Sequence, residues 1–207
     1  MLRATLERLA TAIARPDAYS PEYALATDNA IVAVGKMLRF RGGALGVGAA
    51  SGFASGIAGH AATHGHELVP RWSSWLPLRH DTIEAQGVHR LLCGAIVRVA
   101  MLGQGEEGLP PIAQEVSPLE AASLLGPELS NLPHLLRALG RALCFVTSPD
   151  GVAAARANEG EGVMDEEAMA TAAQLLQMAS AGGGSPLAAA GASIDARERA
   201  AWAACQV

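Results

Sequence analysis

His60, His64 and His66 lie close together, and on a helix His60 and His64 would share one face four residues apart. With a bound water, three such imidazoles make a zinc centre. The rest of a metal site is missing from the pattern. No Asp, Glu or Cys falls inside the cluster, glycine flanks it, and Glu67 does not open an HExxH helix because position 70 is proline. The histidines close a stretch, residues 42–66, that carries no other ionisable side chain. Its glycines do not make a phosphate loop. Gly46 and Gly48 are followed by Ser51, no strand precedes them, and a terminal GK[ST] is lacking. Gly48, Gly52 and Gly56 repeat at helix-contact spacing, but the Ala, Gly and Ser around them gain little from entering lipid, so no membrane span is expected. Such a stretch buries too little to offset its ordering entropy. It reads as a flexible, disordered insertion, residues 42–66, with no role in the fold.

Other candidate chemistry is thin. Glu106–Glu107 and Glu166–Glu167 are adjacent pairs that diverge on a helix. Ser193 in GASID lacks the second glycine of a nucleophile elbow, and His89 reads as a surface or packing residue. Trp72 and Trp75 are core anchors in preference to a peptide-binding pair, and Leu92 and Leu135 join them as anchors. Cys93, Cys144 and Cys205 are odd in number and far apart, so they read as small buried thiols of a reducing compartment. We expect no enzyme: no catalytic, cofactor-binding or metal residue and no cofactor. The alternative is a small metal-binding or enzymatic helical protein centred on His60, His64 and His66.

The elements behind these residues are helical. Half of the 207 residues are hydrophobic but only 4% are aromatic, and no long alternating Val/Ile/Thr/Tyr run appears. A net charge of -5 disfavours nucleic acid, which needs clustered Lys and Arg. The amphipathic N-terminus contains Glu7 and lacks an unbroken apolar core, so it does not resemble a secretory signal. Leu2, Leu6, Leu9 and Ile13 predict a first helix closed by Pro16. Ser20 and Pro21 predict the start of a second, with Ala24, Thr27, Ile31, Val34 and Leu38 on one stripe. Leu68, Trp72, Trp75 and Leu76 share a face. Ala85, Val88, Leu92, Ile96 and Val99 share the next, and Leu132, Leu135, Leu139, Leu143 and Val146 another. Ser117 and Glu120 form a capping box. Residues 148–162 read as a turn and polar linker, and SAGGGSPLAAAG as low complexity. Met164, Ala168, Leu175 and Met178 mark a helix between them.

Short and long helices alternate in pairs at a period of about 40 residues, as in HEAT-type arrays. The predicted fold is all-α, an α-solenoid of antiparallel helix pairs, with a helical bundle as rival. Residues 1–41 form the first pair, 42–66 the insertion, 67–101 the second pair and 102–116 a loop. Residues 117–181 form a third pair with a leading short helix, and 192–205 a terminal helix.

Three segments carry a family likeness: ATDNAIVAVGKMLRF (26–40), LVPRWSSWLPLRHDTIEAQGVHRLLCGAI (68–96) and LLGPELSNLPHLL (124–136). In that order they resemble the C-terminal region of beta-type karyopherins, the importin beta-3 branch of the importin-beta superfamily. The likeness covers about half the chain. It implies HEAT repeats, import of cargo into the nucleus, and residence in cytoplasm and nucleus. The expected partners are cargo proteins with basic segments, and nucleoporins. Ran binding is implied only for repeats preceding this region, so a receptor fragment is expected. On the concave surface the side chains that would meet basic cargo are Asp28, Asn29, Asp81, Glu84, Glu166 and Glu167.

Overall fold

A computed structural model describes residues 2–41, 68–101 and 106–205, and there the chain is all-helical, with no strand among the described residues. The helices are α1 (Leu2–Ile13), α2 (Ala24–Arg41), α3 (Leu68–Ser74), α4 (Thr82–Ala100), α5 (Pro111–Gln114), α6 (Pro118–Leu125), α7 (Leu132–Val146), α8 (Pro149–Ala157), α9 (Glu166–Ser180), α10 (Pro186–Ala192) and α11 (Ala196–Cys205). The expected insertion, with His60, His64 and His66, lies outside the described residues.

The apolar stripes build the core. Ala24, Thr27, Ile31, Val34 and Leu38 of α2 are all buried, as are Ala85, Val88, Leu92, Ile96 and Val99 of α4. On α7, Leu132, Leu135, Leu139 and Leu143 are buried and Val146 is half-buried. Trp72 and Leu76 are buried beside a half-buried Trp75. Helix α4 is the centre of the molecule. It touches α2, α5, α6, α7, α9 and α10, and its buried residues are distributed all round its axis. From Val88 to Val99 it is enclosed by its neighbours, as a helix with so few polar positions must be, while its first turns, with Ile83, Glu84 and Gly87, remain open to solvent.

Several elements depart from the expectation. Helix α2 starts at Ala24 rather than at Pro21. The Ser20 carbonyl accepts from the Tyr23 and Ala24 N–H groups in a turn, and its hydroxyl caps nothing. The expected loop 102–116 contains α5, which buries Ile112 and Ala113. The expected linker after residue 148 contains α8, and the low-complexity stretch contains α10, whose Leu187 is fully buried. On α9, Met178 is exposed, and Ala172, Leu176 and Ala179 turn inward with Ala168 and Leu175.

The cysteines also need correcting. Cys144 of α7 and Cys205 of α11 are joined in a disulfide, and only Cys93 remains the buried thiol that the sequence suggests. Their separation of 61 residues has no motif spacing. The two meet because α11 docks on α7.

Candidate functional site

Asp28, Asp81 and Glu84 come together where α2, α3 and α4 meet. Asp28 is 1% exposed. Its Oδ2 accepts three backbone N–H groups, from Arg79 at 2.9 Å, His80 at 2.7 Å and Asp81 at 3.1 Å. That carboxylate is consumed by the turn between α3 and α4 and faces no solvent, so the cargo-facing expectation fails for it. Asp81 is the N-cap of α4 and accepts from the Glu84 N–H at 3.0 Å. Glu84 pairs with Lys36 of α2 at 2.7 Å. Asn29, beside Asp28, is exposed.

A second polar node joins α4 to α9. The Arg90 guanidinium binds Glu115 through two nitrogens, Asp165 at 2.8 Å and Glu167 at 2.9 Å. Hydrogen bonds to Glu115 and then Asp165 hold its pKa above the ordinary arginine value. Burial acts to raise Asp165, but the Ala168 N–H and Arg90 outweigh it and hold the carboxyl below the usual range. Asp165 also caps α9 through that N–H at 2.8 Å. Glu167 is thus tied to a neighbouring helix, whereas Glu166 stands exposed on the first turn of α9.

No sequence pattern marks the arginines that organise these contacts. Arg90 follows His89 without any distinguishing pattern. Arg141 of α7 donates to the Ser73 and Leu76 carbonyls, at 2.6 and 3.0 Å, and so closes the C-terminal end of α3. Arg39 of α2 reaches Glu120 of α6 at 2.7 Å, using the same carboxylate that completes the capping box.

His89 and Cys93 lie one turn apart on α4 and are both fully buried. His89 Nδ1 donates to the Val163 carbonyl at 2.7 Å, leaving Nε2 buried without a partner. Burial pushes its pKa down to about 4, against the pull of that carbonyl. Burial likewise pushes the Cys93 thiol up to about 12. The two groups bond separate backbone carbonyls, His89 that of Val163 and Cys93 that of Ala168 at 3.6 Å, and not each other, so they do not form a nucleophile with its base. Ser193 spends its hydroxyl on the Ala190 carbonyl at 2.6 Å, at the end of α10. Among the described residues no three His, Cys, Asp or Glu side chains gather closely enough to hold a metal ion, and no helix is long and apolar enough to cross a membrane.

No family model matches the chain, and no solved structure matches it.

Proposed function

We propose that the chain is a C-terminal segment of a nuclear import receptor of the beta-karyopherin kind, a HEAT-type α-solenoid that works as a protein-binding scaffold in cytoplasm and nucleus. One observation carries this reading: the segments that bear the family likeness interlock with one another. Asp28 of ATDNAI holds the backbone of LRHD. Trp72 of PRW donates to Ile31 of the first segment at 3.0 Å and lies against Gly35 of AVGK. The third segment packs on the second, α6 and α7 both lying against α4, and braces its own turn through Asn131, which donates to the Leu124 carbonyl at 3.0 Å. Residues of the resembling segments thus form joints between successive helices.

The packing order adds support. The longer helices α2, α4, α7 and α9 touch in sequence, as the second helices of stacked pairs do. The contacts of α4 with α9 and α10 are a departure from that order, since in an open stack each pair touches only its neighbours.

Basic cargo segments are the partners this scaffold is suited to, with nucleoporins as further candidates. With Asp28 buried, Asp81 capping α4 and Glu167 held by Arg90, the receiving groups narrow to Glu166, Asn29 and the Glu84 carboxylate. The Lys36–Glu84 pair is largely solvated, with side chains 57% and 34% exposed. Such a pair contributes little to stability, so an incoming Lys or Arg displaces Lys36 at small cost. The test is fluorescence anisotropy of the full chain with a Lys/Arg-rich peptide and with a control carrying Glu at the same positions. The expected result is binding of the basic peptide alone, weakened by salt and by the double reversal Glu84→Lys/Glu166→Lys. Equal affinity for both peptides, or none for either, overturns the reading. GTP-loaded Ran is expected not to bind this segment, because the resemblance assigns its contacts to preceding repeats.

A further inference from the structure

Helix α11 lies parallel to α7 and meets it at three successive rungs. Arg137 pairs with Glu198 at 3.0 Å, Trp202 packs against Gly140, and Cys144 is bonded to Cys205. A side chain at position 140 would collide with the indole of Trp202, so the glycine is the seat that lets α11 approach. Of the noncovalent rungs, Trp202 is the one strong support and the ion pair is a weak one. The ion pair is solvated, with side chains 28% and 45% exposed. Trp202 is the one buried residue of the ten in α11. A helix this short does not persist in water without tertiary contacts.

We propose that Cys144 and Cys205 form a reversible dithiol–disulfide latch that sets how firmly α11 is held on α7. Both cysteines are only partly buried, so small thiols and disulfides reach them. Their Cα atoms are 5.1 Å apart, inside the range that a disulfide requires without moving the backbone. Cys93 is the internal contrast: fully buried, with its thiol pushed up to about 12, it stays out of the exchange.

The oxidant is a low-molecular-weight disulfide of the oxidised-glutathione class. The Cys144 thiolate attacks one of its sulfurs, forming a mixed disulfide and expelling one thiol. The Cys205 thiolate then attacks the Cys144 sulfur and expels the second. The two protein thiols lose two protons and two electrons, and the small disulfide is reduced to two thiols. A dithiol reductant reverses both steps. In a reducing compartment a disulfide between accessible cysteines is of the transient, sensing type and not a permanent staple.

The experiment uses the full chain, poised with reduced or oxidised glutathione and read by amide exchange and by mapping of disulfide-linked peptides. Oxidation is expected to yield a Cys144–Cys205 linked peptide and leave Cys93 free. Reduction is expected to speed exchange across residues 196–205 by at least about tenfold, while α4 keeps its protection. The Cys205→Ser chain is expected to show the faster exchange in both buffers. Failure of the linked peptide to form, exchange in 196–205 that ignores the redox state, or slow exchange in Cys205→Ser overturns the latch.

Discussion

The indole of Trp72 occupies the space that a side chain at position 35 would need. A Cβ on Gly35 would stand 2.8 Å from its Cζ2, and the indole Nε1 donates to the Ile31 carbonyl one turn earlier on α2. Glycine inside a helix normally costs about 1 kcal/mol relative to alanine. Here the helix gives up that propensity to let α3 approach. Gly35→Ala should therefore destabilise the chain by about 1–2 kcal/mol, because overpacking outweighs the gain in propensity. Trp72→Ala should cost about 3–5 kcal/mol. Urea denaturation followed by helicity measures both. A stabilising Gly35→Ala would show that the indole does not sit where it is described.

Asp28 offers a second measurement. One carboxylate oxygen serves three N–H groups in the turn leading to α4. Asp28→Ala leaves those donors facing a void in a buried place, and hydrogen bonds to a charged acceptor are the stronger kind. The expected loss is about 3 kcal/mol or more, with Asp28→Asn falling between. A loss below about 1 kcal/mol would mean that the turn keeps its shape without the carboxylate.

Arg90 separates three carboxylates that would otherwise face one another across α4, the end of α5 and α9. Arg90→Met keeps most of the stem and removes the charge. A loss of about 1–3 kcal/mol is expected at low salt, and it should shrink as salt screens Glu115, Asp165 and Glu167 from each other. A loss independent of ionic strength would place the contribution of Arg90 in its packing instead.

How far the sequence could be read is seen in its four Ser-Pro pairs, at 20–21, 117–118, 148–149 and 185–186. The last three start helices, each with the serine hydroxyl accepting an N–H three residues on. Of these three, only the pair at 117 is legible as a start in the sequence, because Glu120 completes its capping box. The other two sit in polar or Ala/Gly-rich surroundings, where composition hid the cap. The pair at 20 looks equally good, but Tyr23 and Ala24 close a turn on the Ser20 carbonyl and the helix begins later. Local chemistry thus marks a possible start, and burial decides whether it is used: Leu187 is fully buried beyond the cap at 185, and no stripe hinted at it. The long stripes of α2, α4 and α7 were legible because their apolar period is sustained over several turns. The site was less so. Asp28 and Glu166 are both carboxylates on helices, and only the fold separates the one that braces a turn from the one left facing water.

His89 ties stability to pH. Well above pH 7 its imidazole is uncharged in folded and unfolded chains alike, so it adds no pH dependence there. Its folded pKa lies near 4, below the ordinary 6.5, because burial resists the charge and Nε2 has no acceptor to meet. As the pH falls through 6.5 the unfolded chain takes up a proton that the folded chain refuses. Stability therefore declines progressively between about pH 6.5 and 4, by at most about 3 kcal/mol for this residue, and its share levels off below. Burial lowers His134 in the same direction, so the informative quantity is the difference between wild type and His89→Gln. Glutamine can still donate to Val163 but binds no proton in this range. The variant should start less stable at pH 7 and lose less between pH 6.5 and 4.5, measured by urea unfolding at each pH. Parallel pH profiles for the two chains would mean that His89 is hydrated and free to ionise in the fold.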